Sequence, residues 1–372
     1  MLSGFTLTNG SSFFGGAGVV SDADYSEPSG VVTNCTLTRN RGWRGGGASG
    51  CTLYNCTLSD NVGLVESGGG ANRSTLYNCT LTGNEGQIGG GAYHSTLYNC
   101  KVVGNWADYV GGGVCQCILY NCVVADNVAG DLADDRGGGA CGSTLFNCTL
   151  TGNSASSGGG AAICTLYNSI IYYNFDFDNF GGNYSQGTIL NYCCTSPLPT
   201  NGVGNITGPP LFMDMAAGDV RLREDSLCID AGTNLVGLLA VEPWGGPFPY
   251  THDATDFLGN TRFIDGNGDG TVAWDIGAYE FNSFKPFRFT VSPVVTLSEE
   301  PFGPSRNVRL NITGAPNILA RVQKSGNLKD WKDIWSGRVG AEGVTQVNDR
   351  QRELDYDEGG TVMFYRVVVG GP

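Results

Sequence analysis

The sequence predicts an all-β chain, a right-handed parallel β-helix (a solenoid) followed by a small antiparallel β-sandwich. Three observations predict it. A short segment recurs along the first half of the chain, a run of glycines introduces each full copy, and apolar and polar residues alternate inside each copy.

The recurring segment is STLYNCTLTGN at residues 74–84. It returns as CTLYNCTLSDN from Cys51, STLYNCKVVGN from Ser95, CILYNCVVADN from Cys117, STLFNCTLTGN from Ser143 and CTLYNSIIYYN from Cys164, with an earlier copy, VTNCTLTRN, from Val32. Glycine runs precede the full copies at residues 45–47, 68–70, 89–91, 111–113, 137–139 and 158–160. The central Cys, or Ser169 in the last copy, always stands five residues before the closing Asn, from Cys35/Asn40 to Ser169/Asn174. Length varies instead between that Asn and the glycine run, as at residues 129–136, so coils span roughly 21 to 26 residues. A constant strand-turn unit with one variable corner is the mark of a solenoid, whose core tolerates no insertion while one loop edge does.

Within residues 75–82, Leu76, Cys79 and Leu81 are expected inside, Tyr77, Thr80 and Thr82 outside, and Asn78 at a bend. Leucine-rich repeats have a similar length but need a helix or 3₁₀ segment on one side, where this chain carries Gly-Gly-Gly-Ala. Parallel strands stacked about 4.8 Å apart would align like residues into a Cys ladder, an inward Leu ladder and an Asn ladder at the bend. The glycines would supply the backbone angles of a tight corner.

Fourteen cysteines raise the question of disulfides. Cys35, Cys56, Cys79, Cys100, Cys122 and Cys148 share one inward position, and in-register parallel strands aim their Cβ atoms the same way. That suits a bridge poorly, so free, buried, apolar thiols are expected. Cys115 with Cys141, and the vicinal Cys193 and Cys194, are the better disulfide candidates. The two histidines, His94 and His252, form no zinc spacing with them. The Asn-Cys-Thr triplets at Asn55 and Asn78 match a glycosylation sequon and read as by-products of the repeat, with the Asn at a buried bend.

The net charge of −14, with only 21 Lys plus Arg, argues against nucleic acid and anionic membrane as partners and is compatible with divalent cations. A hydrophobic content of 41% supports a packed core despite 59 glycines. No transmembrane segment is expected, since no run approaches the roughly 18 apolar residues that a spanning helix needs. Residues 1–10 lack the basic start and apolar stretch of a signal peptide and read as the middle of a repeat. An export signal is therefore expected upstream, and the location extracellular or at the cell surface.

After Asn174 the repeat blurs, and residues 209–232 read as an irregular last coil covering the open end of the helix. Farther on, Asp265, Asn267 and Asp269 alternate with glycines as in the first half of a calcium loop, with Thr271 following. The twelfth position is Ile276, not Glu, so Asp275 at the eleventh would have to close the site. A plain Asp/Asn/Gly turn is the alternative. From about Pro286 the glycine triplets stop, and short β-rich runs at 308–312, 318–324, 331–335, 344–347 and 362–369 suit a small sandwich with Trp331 as core anchor. The expected organisation is a β-helix over 1–235, a cap with the calcium-type loop over 236–285, and the sandwich over 286–372.

The GGGA and LTGN units resemble the repeats of polymorphic outer-membrane proteins and related right-handed β-helix surface proteins. PLFMD…AAGDVRL…AG is similar to the end of bacterial β-helix proteins of the pectate-lyase-like superfamily, and residues 256–281 resemble the choice-of-anchor Q segment that follows such helices. ARVQKSGNLKDWKDI…FYRVVV resembles the fibronectin-like or immunoglobulin-like domains of bacterial extracellular proteins. The resemblance implies a secreted or cell-surface, adhesin-like, non-catalytic protein whose partner is an extracellular polysaccharide or surface protein. The same superfamily implies, as the alternative, a polysaccharide lyase or glycoside hydrolase.

For binding, the candidate residues are the outward aromatic column Tyr54, Tyr77, Tyr98, Tyr120, Phe146 and Tyr167. An exposed aromatic stripe can stack on sugar rings or meet a protein; a column that packs on itself or under the loops merely stiffens the sheet. Catalysis would need two carboxylates at a set separation, or an acidic cluster with a Lys or Arg. Asp60 and Asp126 share a column but not adjacent coils, Asp131, Asp134, Asp135 and Arg136 share one loop, and Lys101 stands alone, so nothing converges. A flat ice- or mineral-facing array of Thr36/Thr38, Thr80/Thr82 and Thr149/Thr151 is interrupted by Lys101/Val103 and Val123/Ala125.

Overall fold

The computed structural model describes residues 1–12, 18–21, 30–65, 68–130, 136–177, 182–233 and 255–281, together with six strands between 296 and 369. The chain divides into two compact units, Met1–Asn282 and Ser283–Pro372.

In the first unit each coil contributes one strand to each of several parallel sheets, two of nine strands, one of eight and one of seven. This is a right-handed parallel β-solenoid, as the repeat predicts. Successive copies pair without slip: Leu53 with Leu76, Leu76 with Leu97, and Leu97 with Leu119 on the first sheet. On the second, Leu37 pairs with Leu58 and Leu58 with Leu81. A one-residue slip would turn every leucine outward, so the fully buried Leu ladder itself fixes the register.

Between the first and second sheets the chain turns at an Asn in the left-handed region. Asn34, Asn55, Asn78, Asn99, Asn121, Asn147 and Asn168 have φ between 46° and 52°. Asn tolerates that conformation better than other residues bearing a Cβ, which accounts for its recurrence. The glycine corner has two distinct requirements. Gly89 has φ 66°, whereas a Cβ on Gly90 would lie 2.1 Å from the carbonyl oxygen of Trp106. One glycine bends the chain, and the next lets two backbones touch.

The closing asparagines form a continuous buried ladder. Asn105 Nδ2 donates to Asn127 Oδ1 at 2.9 Å and to Leu81 O at 3.0 Å, while its Oδ1 accepts from Asn84 N and Asn84 Nδ2. The same pattern runs from Asn40 to Asn183. The bend asparagines, where the ladder was expected, make a looser one, with Asn121 Nδ2 3.2 Å from Asn99 Oδ1. Asn55 and Asn78 are exposed rather than buried, because the bend carries its side chain outward.

All 14 cysteines are free and buried. They are more than small apolar side chains. Cys100 Sγ lies 3.3 Å from Tyr98 O, to which it donates, and accepts from Cys79 N at 3.4 Å. Where Ser169 replaces Cys, its Oγ does the same work, donating to Tyr167 O at 2.8 Å and accepting from Cys148 N at 3.0 Å. The position calls for a short side chain that both donates and accepts, because the backbone N–H of the preceding coil would otherwise be buried unpaired.

Residues 209–232 depart from expectation. Phe212–Asp214 and Asp219–Leu222 form an antiparallel pair that lies against the side of the solenoid. Phe212, Val220, Leu222, Cys228 and Ile229 pack on Val123, Ala125, Ile170 and Cys194, outward residues of the second sheet. Of the breaks in the Thr array, Val103, Val123 and Ala125 thus belong to an apolar landing face, and burying that face draws the segment sideways.

In the second unit Thr296–Glu300, Gly303–Thr313 and Val344–Arg352 make one three-stranded antiparallel sheet, and Lys332–Arg338, Leu319–Ser325 and Phe364–Val369 make another. Trp331, Asp131, Asp134, Asp135 and His252 lie outside the described residues.

Candidate binding face

Four outward columns run side by side across the first two sheets: the aromatic column, the bend asparagines, and two hydroxyl-rich columns on the second sheet. Because the coils are in register, the rings stack. Centroids are 4.8 Å apart for Tyr54–Tyr77 and Tyr77–Tyr98, 4.9 Å for Tyr98–Tyr120, 5.1 Å for Tyr120–Phe146 and 5.4 Å for Phe146–Tyr167. Interplanar angles stay at or below 15°. Each inner ring therefore has both faces against neighbours, and the column offers its edges; Tyr54, at the end of the stack, keeps one face clear of it.

The column is buried in its middle, half-buried at Tyr77 and Tyr167, and exposed at Tyr54. Tyr54 is 38% exposed, whereas Tyr98, Tyr120 and Phe146 are 7%, 2% and 2% exposed. The other columns change one coil later, since beside the buried Tyr98 stand the half-buried Asn99 and the exposed Lys101. Asn55 and Asn78 are exposed while Asn121, Asn147 and Asn168 are buried, and Thr57 and Thr80 are half-buried while Val123, Thr149 and Ile170 are buried.

Among the described residues the cover is formed by 255–281, with 228–233. Trp274 packs on Tyr98, Tyr120 and Phe146. Arg262 Nη2 donates to Asn121 Oδ1, Ala278 N to Thr149 Oγ1 at 3.1 Å, and Gly277 N to Asn168 O at 2.8 Å. Thr233 N donates to Asn168 Oδ1 at 2.9 Å, and Asn168 Nδ2 returns a bond to Thr233 O at 2.7 Å. Backbone and side chain of this segment thus read the aromatic, Asn and Thr columns together.

Beneath the cover lies a buried polar cluster. Arg262 and Glu280 pair at 3.3 Å with both side chains out of solvent. Arg262 also donates to Thr255 O, Gly277 O and Ala278 O. Glu280 Oε2 accepts from Asp275 N, while Oε1 has no hydrogen-bond partner among the described residues. Burial pushes the Glu280 carboxyl up to about 9 and the Asp275 carboxyl up to about 7, the neighbouring carboxylates adding to both. Burial also lowers Arg262 from the usual guanidinium range. Shifted carboxyls of this kind often mark active sites, but these are sealed from any substrate.

The calcium-type loop is divided between two environments. Asp265 accepts from Gly268 N, Asp269 N and Gly270 N; Asn267 Oδ1 accepts from Asp269 N; and Asp269 Oδ1 accepts from Thr271 N. Asp275 is buried, and its carboxylate accepts from Asp230 N and Phe281 N. Among the described residues no group of three or more His, Cys, Asp or Glu side chains is placed to hold a metal. Cys115 and Cys141 stand side by side as free thiols on the outer face of the fourth sheet, under Ile88, Tyr93 and Val110. Cys193 and Cys194, also free, point to opposite sides, Cys193 into the core and Cys194 against the cover.

Comparison with protein-family models, curated proteins and solved structures gave no match.

Arg262, Trp274 and Glu280 were not singled out in the sequence as site residues. The available signal was a Trp and an Arg inside a run rich in Gly, Asp and Asn. Asp60 and Asp126 hold exposed corner positions, each with its carboxylate over a glycine of the next coil, Gly83 and Gly152 respectively.

Proposed function

We propose that this chain is a secreted or cell-surface, adhesin-like β-helix that binds an extracellular polysaccharide or a surface protein without catalysis. The binding strip is the more exposed end of the four columns, around Tyr54, Asn55, Asn78, Thr57 and Thr80. One observation carries the reading: from the coil of Tyr98 onward, the same columns already serve as a docking surface, for the chain's own residues 255–281. The strip is rigid because register fixes its spacing, so little ordering cost accompanies binding. Its edge-on tyrosines and row of hydroxyls combine apolar contact with hydrogen bonding.

The test is an array of glycans and surface proteins probed with the purified chain and with a Tyr54→Ala/Tyr77→Ala variant, each with and without calcium, because Asp265, Asn267, Asp269 and Thr271 lie together in one surface loop. Selective capture that disappears in the folded variant supports the reading. Capture that survives in the variant, or none at all, sinks it; depolymerised glycan would favour the lyase or hydrolase alternative.

A further inference from the structure

The fourth sheet carries one pair of thiols that stands apart from the inward ladders. Cys115 and Cys141 are register partners in adjacent coils and belong to an outer cluster, not to the core that holds the ladder cysteines. Their column runs Ser49, Asn72, Tyr93, Cys115, Cys141, Ala162, so two neighbouring coils alone place sulfur there among these residues. The two thiols hydrogen-bond to each other, and the positive charge of Arg136 acts on Cys141. Strand spacing decides what can join the sulfurs. Like atoms of neighbouring coils stand about 4.8 Å apart, as the rings of Tyr77 and Tyr98 do. A disulfide needs Cβ atoms about 3.8 Å apart and a dihedral near 90°, whereas in-register parallel strands hold the two Cβ atoms farther apart and parallel. A metal ion in line between two thiolates, with bonds of about 2.3 Å, spans about 4.6 Å.

We propose that Cys115 and Cys141 form a site for one Cu(I) ion, held between their two thiolates. Among the described residues no third His, Cys, Asp or Glu joins the pair. Two sulfurs suit a soft ion that is content with two ligands, whereas zinc takes four. Binding breaks two S–H bonds, forms two Cu–S bonds and releases two protons to solvent, with no change of oxidation state. The bound unit carries one negative charge, which the guanidinium of Arg136 offsets. The site lies just beneath the surface: Cys115 and Cys141 are 4% and 8% exposed, packed under the half-buried Ile88, Tyr93 and Val110. A small shift of those side chains admits an ion, while the in-line approach of a bulky disulfide oxidant is hindered.

The test is an anaerobic titration of the full chain with Cu(I) presented as its bicinchoninate complex, whose colour fades as the ion transfers. One equivalent per chain is expected to transfer, with affinity at least tenfold weaker in Cys115→Ser and in Cys141→Ser, and with excess zinc leaving the transfer unchanged. Both variants are expected to fold, because Ser49 already holds the same column and every ladder thiol stays in place. X-ray absorption at the copper edge of the loaded parent chain, which needs no variant, is expected to show two sulfur neighbours. No transfer, transfer undiminished in both serine variants, or three or more sulfur neighbours overturns the proposal. So does closure of the pair to a disulfide by glutathione disulfide in place of metal uptake.

Discussion

Arg262 donates Nη2 to Asn121 Oδ1 at 3.1 Å across 141 residues of sequence. The bond joins a segment outside the repeat to the bend ladder inside it. It also places the only guanidinium described within the buried polar cluster beside Glu280. Docking of residues 255–281 therefore depends on one cation that three things share: the solenoid, the segment's own carbonyls and a buried carboxylate.

Replacing Arg262 by Ala is expected to release this segment without unfolding the coils. The change strands the buried acceptors that the guanidinium serves, Asn121 Oδ1, Gly277 O and Ala278 O, at about 1–3 kcal/mol for each. Hydrogen exchange should rise sharply over 255–281 while residues 75–82 remain protected. Uniform loss of protection in both regions would show that the segment and solenoid form one cooperative unit.

The same cluster predicts a pH dependence. The Glu280 carboxyl, at about 9 when folded, and that of Asp275, at about 7, both stand above their ordinary values of about 4.3 and 3.9. Such groups contribute stability that is complete below the unfolded value and lost as pH rises through the folded one. Arg262, Asp256 and Asp230 face them and complete the charge set. Docking should be firmest near pH 4 and loosen between about pH 7 and 9. The readout is the fluorescence of Trp274, taken as the difference from Trp274→Phe. Glu280→Gln, which mimics the protonated acid, should flatten the curve; an unchanged curve in that variant would place the titration elsewhere.

The closing asparagines should matter more than the bend asparagines. Asn105→Ala deletes four hydrogen bonds and orphans buried groups, among them Asn84 N. At about 1–3 kcal/mol for each orphaned buried group, the loss is several kcal/mol. Asn78→Ala, at an exposed bend with φ 52°, should cost on the order of 1 kcal/mol for its left-handed backbone. Chemical denaturation of the two variants gives the comparison, and equal costs would refute the ladder's role.

Chemistry rather than size should decide what replaces Cys100. Cys100→Ser retains a donor and an acceptor, as Ser169 does naturally, and should lie within about 1 kcal/mol of the parent. Cys100→Val keeps the bulk but strands the Cys79 N–H, and should cost about 1–3 kcal/mol. The reverse order in denaturant midpoints would return these thiols to the role of apolar filler.

The solenoid, its register and its inward Leu and Cys ladders were legible in the repeat, whereas the buried Asn ladder falls on the closing asparagines and not at the bend. Those features depend on period-two alternation and on a Cys-to-Asn spacing that admits no insertion, both local properties of the chain. The outward direction of Tyr54 through Tyr167 followed from the same alternation. How much of that outward column meets solvent is a property of the folded chain alone. Tyr54 and Tyr120 sit in nearly identical sequence, YNCTL and YNCVV, yet one is exposed and the other buried. The difference comes from Trp274, far along the chain, and burial by a distant segment leaves no imprint on the residue it covers. Its only local trace is the apolar Val123, Ala125 and Ile170 where threonine stands in earlier coils. Asp275 makes the same point: its spacing fits a calcium loop, but the amides of Asp230 and Phe281 draw its carboxylate inward. Spacing along a chain fixes where a side chain begins, and the partners brought to it by folding decide where it points.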